Sequence, residues 1–363
     1  PFDRAAHRRL EALADELSDA TLRAQTHQSL RDLERALQAR ARGQEVAAAV
    51  AAAKGLTQFE PGGPRWLRLL VGNEPMKTFD RLTLVDLYDR QNAHSATYKR
   101  NDQLADDWLQ HLDGLPDLLK LDLANTSVAG PGLKHVGALT SLETLNLTLT
   151  PISDDALEHL RGLVKLKIIS LASTPVTGEG IRAFASMTQF QNLNLHNTPV
   201  TDAGLQEISR LTSLERLEIV HTTFTDPGVW FLSKLKNLQR LQLGSRRATG
   251  AAIAHLKGLP KLRELDLHDL QGTAEAIAHA SQIRTLRVLR VYLGGVKDGD
   301  LENIAKLSHL DQLILGGAQN SDAGLLQLAA LKQLPVLNLG GTKVKDETVA
   351  KLIEALPGLA VTR

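Results

Sequence analysis

The apolar positions of the chain recur with a fixed period. The pattern L-x-x-L-x-L opens at Leu118, Leu142, Leu166, Phe190, Leu214, Leu238, Leu262, Leu286, Leu310 and Leu334. From 118 to 334 is 216 positions, nine steps of 24 residues without a slip. Alternation at the last two apolar positions predicts a short strand in each unit, and apolar residues three apart further on predict a helix. In the unit from Phe190 to Ser213, Leu193 and Leu195 point inward from the strand, and Leu205, Ile208 and Leu211 fall on the buried side of the helix. Between them, Thr198 is expected to bond the backbone of the neighbouring coil, as are Thr126, Thr150, Thr174, Thr222 and Thr342 in equivalent places. Pro199 holds the chain extended, and Asp202 is expected to cap a helix that starts near Ala203.

One such unit cannot bury its own apolar edge, so stability must come from stacking units into a solenoid. Strands stack at about 4.8 Å and helices at about 8 to 10 Å, so the array must curve with its strands inside. The expected fold is an α/β horseshoe with a concave parallel sheet and convex helices. At this point the sequence resembles the leucine-rich-repeat family, in its 24-residue bacterial form with T-x-V-T-D-x-G-L between strand and helix. The resemblance is closest in Thr198 to Leu205 (TPVTDAGL) and in Ser321 to Leu325 (SDAGL), and it runs from Leu82 to Arg363. Such arrays are similar to those of environmental bacteria, planctomycetes among them. For function the resemblance implies a binding scaffold and no more, because the fold hosts many ligands.

Three segments follow from the periodicity. Residues 1–60 read as two or three amphipathic helices, either a cap over the first repeat or a separate interaction element. Residues 61–81, opening on Pro61, Gly62, Gly63 and Pro64, read as a linker whose Trp66, Leu67, Leu69 and Leu70 pack under the opening strand. Residues 82–363 form the solenoid of about eleven repeats. Its opening unit carries twelve extra residues within 88–101, where Tyr88, Tyr98, His94, Lys99 and Arg100 are candidates for a contact loop. A tolerated, solvated insertion is the other reading.

Because the register is fixed, the concave wall can be read in columns. Its polar, mixed-charge centre spans Asn192, Asn194 and His196; Arg216, Glu218 and His221; Arg240 and Gln242; Glu264, Asp266 and His268; and Arg290 with Tyr292. Five strands cover roughly 20 Å, a footprint suited to a peptide or the edge of a protein. In the units from Leu238 to Leu310 the column of threonines is replaced by Arg246, Leu270, Gly294 and Ala318, which predicts a loosened edge there, with Arg246 and Arg247 as a protruding basic pair. On the convex side Trp230 and Phe231 stand where other units carry Glu158 and His159 or Gln206 and Glu207. They form either an exposed patch or a contact with Ala254 of the next helix.

Composition narrows the chemistry. The chain has 363 residues, 43% of them hydrophobic, and 42 Lys plus Arg against 41 Asp plus Glu, so no global field steers it to nucleic acid or an anionic membrane. With no cysteine, disulfides, thiol nucleophiles and thiolate metal sites are excluded. Gly178, Gly180 and Ala183 fit a loose G-x-G-x-x-A, but the next unit holds Asp202, Gly204 and Glu207 there, so this is repeat grammar rather than a dinucleotide loop. His196 and His268 lie three strand steps apart, about 14 Å, too far to share a metal. A metal-dependent hydrolase on the concave wall is therefore the weakest reading, and no cofactor or catalytic residue is expected. The leading expectation is a non-enzymatic scaffold for a protein or peptide, without nucleic acid or membrane insertion. The alternative is a spacer or sensor part of a larger bacterial cell-envelope protein. An exported or envelope location is favoured over a cytoplasmic one.

Overall fold

The computed structural model describes residues 4–62, 77, 80–88, 100–316, 321–342 and 344–363. Among these, one sheet runs in chain order through β1 (Leu56–Glu60), β2 (Arg81–Asp86), β3 (Lys120–Asp122), β4 (Thr144–Asn146), β5 (Ile168–Ser170) and β6 (Asn192–Asn194). It continues through β7 (Arg216–Thr222), β8 (Arg240–Ser245), β9 (Glu264–His268), β10 (Val288–Tyr292), β11 (Gln312–Leu315), β12 (Val336–Asn338) and β13 (Ala360–Thr362). All neighbours from β2 onward are parallel, and from β3 onward partners lie one period apart, as Leu145 with Ile169 and Leu193 with Leu217, except where the register shifts at Thr222 opposite Ser245. Short helices stand behind the strands, and the open, curved stack is the horseshoe that the spacing requires. A single apolar core threads every coil, from Val46 to Leu359, with Phe184 and Phe190 stacked 5.5 Å apart between ring centres.

The twelve extra residues leave the sheet unshifted. Leu84, Val85 and Asp86 pair with Lys120, Leu121 and Asp122, and the chain rejoins the array through Asn101, bridged to Thr126.

The threonine column does something other than expected. Asn125, Leu149, Ser173, Asn197, His221 and Asp269 sit in the left-handed region with φ between 48° and 61°. Their backbone carries the link between coils: the Asn125, Leu149, Ser173 and Asn197 N–H groups donate to the carbonyls of Thr148, Ala172, His196 and Val220. The turn they make points the following hydroxyl back into its own coil. Thr126, Thr150, Thr174, Thr198 and Thr342 donate to the carbonyls of Leu123, Leu147, Leu171, Leu195 and Leu339 at 2.5 to 2.7 Å. Thr222 alone in this set reaches the next coil, at Gly244 O, 3.0 Å away. The side chains therefore close coils rather than join them.

The aspartate column does the joining. The helix Asp202–Ile208 is capped by Thr201, whose hydroxyl accepts from the Gly204 N–H, not by Asp202. The Asp202 carboxylate instead accepts from the Thr225 backbone N–H at 2.7 Å and its hydroxyl at 2.6 Å, one coil on. Asp154 does the same to Thr177 and Gly180, Asp226 to Thr249, and Asp298 to Ser321. Glycine recurs two residues after the aspartate position because the preceding coil leaves no room for a Cβ, as at Gly324 against Asp298.

Where the threonines are missing, β8, β9 and β10 run six, five and five residues and β11 four, against three in β3 to β6, so more backbone pairing joins the coils along this edge. Leu270 is buried, and the Ser245 hydroxyl donates to Phe224 O at 2.6 Å. Gly294 belongs to the turn after β10; Ala318 lies outside the described residues.

At the N-terminal end, α1 (Arg4–Asp15) and α2 (Ala20–Ala52) are helices, with Leu13 and Leu22 exposed, and residues 56–60 are a strand, not helix. β1 pairs antiparallel with β2, with an irregularity between Gln58 and Phe59. Gly55 permits the reversal, since a Cβ there would stand 2.5 Å from Asp86 O. Val46 and Val50 of α2 enter the same core as Leu82 and Val85. Trp66, Leu67, Leu69 and Leu70 lie outside the described residues.

Candidate functional site

The concave wall from β6 to β10 carries its charges as a connected network. Asp266 sits in the middle of β9 and is 3% exposed, which departs from its expected place on an open surface. Arg290 on β10 reaches back to it, Nη1 to Oδ1 at 2.9 Å, and gives its other terminal nitrogen to Gln312 Oε1 at 2.8 Å. Arg240 on β8 approaches from the opposite side, 3.8 Å from Asp266 and 3.6 Å from Glu264. Glu264 also lies 3.6 Å from Arg290. Burial works against the Arg290 cation, but the Asp266 hydrogen bond and the charges of Asp266 and Glu264 outweigh it and raise its pKa. Arg216 is exposed at the edge of this network, and burial pushes the Glu218 carboxyl up, with Arg240 and Arg216 pulling against it. Asn192, Asn194 and Gln242 are half-buried on the same wall, and Asn194 Oδ1 accepts from the His196 backbone N–H.

A second cluster lies where the strands end. The His196 and His221 rings meet edge to face at 5.0 Å, and His221 Nδ1 comes within 2.6 Å of Asp269 Oδ2. His221 and Asp269 are two coils apart in sequence, so this pair was not legible from adjacent columns. Gly244 lies between those coils; a Cβ on it would come within 2.8 Å of His268 Cβ. The His268 ring stacks on Tyr292 at 4.5 Å, and Tyr292 is 44% exposed. Burial lowers the pKa of both His196 and His268; for His196 the neighbouring His221 adds to the effect and Asp269 opposes it.

Arg240 Nε and Asp269 Oδ2 are buried on this wall and meet their neighbours as ion pairs, Glu264 at 3.6 Å and His221 Nδ1 at 2.6 Å. Among the described residues, no three His, Asp or Glu side chains are arranged to hold a metal ion.

The other candidates do not join the wall. Trp230 is 49% exposed, meets Phe231 edge to face at 5.3 Å, and has Lys234 Nζ 5.3 Å from both ring centres. Trp230 is thus exposed rather than covered by the next coil, while Phe231 is half-buried. Arg246 and Arg247 are exposed beyond β8, with Arg246 3.9 Å from Asp269. Arg100 is exposed and the Tyr88 N–H donates to Asp86 Oδ1, whereas Tyr98, His94 and Lys99 lie outside the described residues. No helix among the described residues is long and apolar enough to cross a membrane.

Comparison with known proteins agrees with this architecture. An internalin (InlF) from Listeria monocytogenes is similar with a TM-score of 0.51 and 20% identity over 69% of this chain and 75% of that one. Internalin C2 from the same organism has a TM-score of 0.44 and 20% identity, over 59% of this chain and 81% of its own. A leucine-rich-repeat protein of Leptospira interrogans has a TM-score of 0.39 and 19% identity, over 70% and 74% of the two chains. At these identities the likeness is one of fold. No curated protein matches the chain in sequence. The family described as "Leucine-rich repeat region" matches residues 74–333, most of the solenoid. The chain belongs to the leucine-rich-repeat family.

Proposed function

We propose that the protein is a binding scaffold that holds a protein or peptide partner across the concave wall between β6 and β10. The carrying observation is a mixed-charge surface within reach of an incoming chain: Arg216 and His221 are exposed, and Arg240, Gln242 and Glu264 are half-buried. Donors and acceptors stand side by side on it, as Arg240 and Glu264 do at 3.6 Å, and a peptide backbone offers both in every residue. Tyr292 stacked on His268 supplies a flat apolar anchor beside them. Nucleic acid fits less well, because Glu264 and Asp266 stand between Arg240 and Arg290 and break any basic stripe. The known behaviour of the fold, a scaffold on which binding sites are grafted, supports the same reading.

The test is affinity capture from the native organism with the wild-type chain beside R216E/Y292A, both side chains being exposed and outside the core. Loss of the captured partner, with an unchanged thermal melt, is the expected result. Capture equal to wild type overturns the assignment to this wall.

A further inference from the structure

Along the edge of the horseshoe where helices end and strands begin, a cavity of about 880 Å³ opens between the helices Thr273–Ala280 and Asp298–Ile304. Lys257, Arg284 and Lys306 line it with Gln282, Asn303 and Ser308, and no acidic residue does. A neighbouring recess shares Arg284 and adds Lys261, Arg263 and Arg287 against a single acid, Asp311. Together the two hollows hold six Lys or Arg and one carboxylate, in a chain whose basic and acidic residues are balanced at 42 to 41.

Cations near helix C-termini are ordinary, since they offset the helix dipole. Some of those in this array are tied to a carboxylate of their own helix, and others, such as Lys236, to a backbone carbonyl. Arg161 pairs with Glu158 at 2.7 Å and Arg210 with Glu207 at 3.1 Å. In the cavity, Lys306 Nζ meets only the neutral Asn303 Oδ1 at 2.7 Å, and Lys257 and Arg284 form no ion pair among the described residues. Among the described residues, none of the three cations that line this hollow has a carboxylate partner.

We propose that this cavity is a binding site for a compact, multiply charged anion of the phosphate class. Guanidinium, ammonium, hydroxyl and amide donors around one hollow match the oxygens of linked phosphates, and Arg284 offers a fork of two parallel N–H groups. The volume falls within the usual range for small-ligand sites, roughly 300 to 1,000 Å³. The lining contains no Phe, Tyr or Trp, so it lacks the stacking platform that a single-stranded nucleic acid would use. An acidic peptide would gain less here, because its carboxylates are spaced along a chain and do not converge in one hollow. The site is on a different face from the concave wall and does not depend on what that wall binds.

The experiment is calorimetric titration of the full chain with inorganic tripolyphosphate at low salt, with a poly-glutamate peptide and a single-stranded oligoribonucleotide as parallel arms. Saturable one-to-one binding of tripolyphosphate is expected, at least tenfold weaker in R284A/K306A and several-fold weaker in K257Q, while K351A on the last helix stays within twofold of wild type. Far-UV melts establish that the variants fold, and R284Q alone serves if the double variant does not. Absence of saturable binding, equal affinity in wild type and R284A/K306A, or tighter binding of either polymer overturns the proposal.

Discussion

Replacing Arg290 by alanine tests whether the concave network is structural or merely decorative. The substitution strips Asp266, 3% exposed, of its 2.9 Å partner and leaves it only Arg240 at 3.8 Å. Removing one partner of a fully buried ion pair costs about 3 to 5 kcal/mol. The Arg290 side chain retains 17% exposure and Arg240 takes up part of the charge, so we expect about 2 kcal/mol. In a repeat array the loss is local rather than global. It should therefore appear as about 30-fold faster hydrogen exchange in peptides covering β9 and β10, that being the population change for about 2 kcal/mol, with the ends of the array little changed. R216A, which removes an exposed arginine from the same wall, should stay within about 0.5 kcal/mol. D266L/R290M should recover most of the loss, because an apolar pair of similar volume carries no buried charge. Exchange in R290A within twofold of wild type would refute the reasoning and return Asp266 and Arg290 to the open surface.

Asp202→Ala orphans the Thr225 N–H and hydroxyl and should cost about 1 to 2 kcal/mol in a urea melt; a cost below about 0.3 would show that the carboxylate column does not join coils. Leu149 is held at φ 61°, where a branched side chain is strained, so Leu149→Asn, the residue found at Asn125 and Asn197, should raise stability by about 1 kcal/mol; a lower melting temperature would contradict this. Burial holds the pKa of His196 and His268 below the ordinary 6.5 against the pull of nearby carboxylates, so the folded chain binds fewer protons than the unfolded one as pH falls through that value. Their contribution is present above pH 6.5 and is lost as pH drops through the folded pKa, whereas Glu218, shifted up, contributes below its ordinary 4.5 and loses that as pH rises through its folded pKa. Urea midpoints at pH 7.5 and 5.5 should therefore fall with acid in wild type and fall less in H196Q/H268Q; equal slopes for the two chains would count against it.

The horseshoe was legible because a period of 24 repeated nine times leaves one arrangement that buries every leucine. Roles within the period were harder to read. Thr198 and Asp202 were recognisable as bonding groups, but their partners depend on a residue whose identity carries no signal. The left-handed turn falls on Asn197 in one coil and Leu149 in another, and it decides that the threonine closes its own coil. Once Thr201 occupies the cap, Asp202 faces the next coil instead. β1 escaped notice because it follows a long helix and because the irregularity at Gln58 and Phe59 disturbs the alternation that marks a strand. On the concave wall the columns located the charged centre, since strand register fixes which side chains share a face. They could not separate Asp266, sealed between two arginines, from Arg216, which faces solvent, because both occupy outward positions of their strands. The Asp269 contact with His221 spans two coils and needed the backbone path to be seen. The basic cavity went unnoticed because Lys257, Arg284 and Lys306 sit at different offsets from the period and form no column in sequence.

The carboxylate column also gives the array a direction. Each aspartate reaches from its own coil to the donors of the following one, so Thr177, Thr225 and Thr249 are all satisfied from the N-terminal side. A chain emerging from the ribosome meets each new coil with its acceptor already in place. Shortening from the C-terminal end leaves a solvated carboxylate behind, while shortening from the N-terminal end strands backbone donors in a freshly exposed coil. Deletion series made from the two ends should therefore lose solubility at different rates, the N-terminal series first.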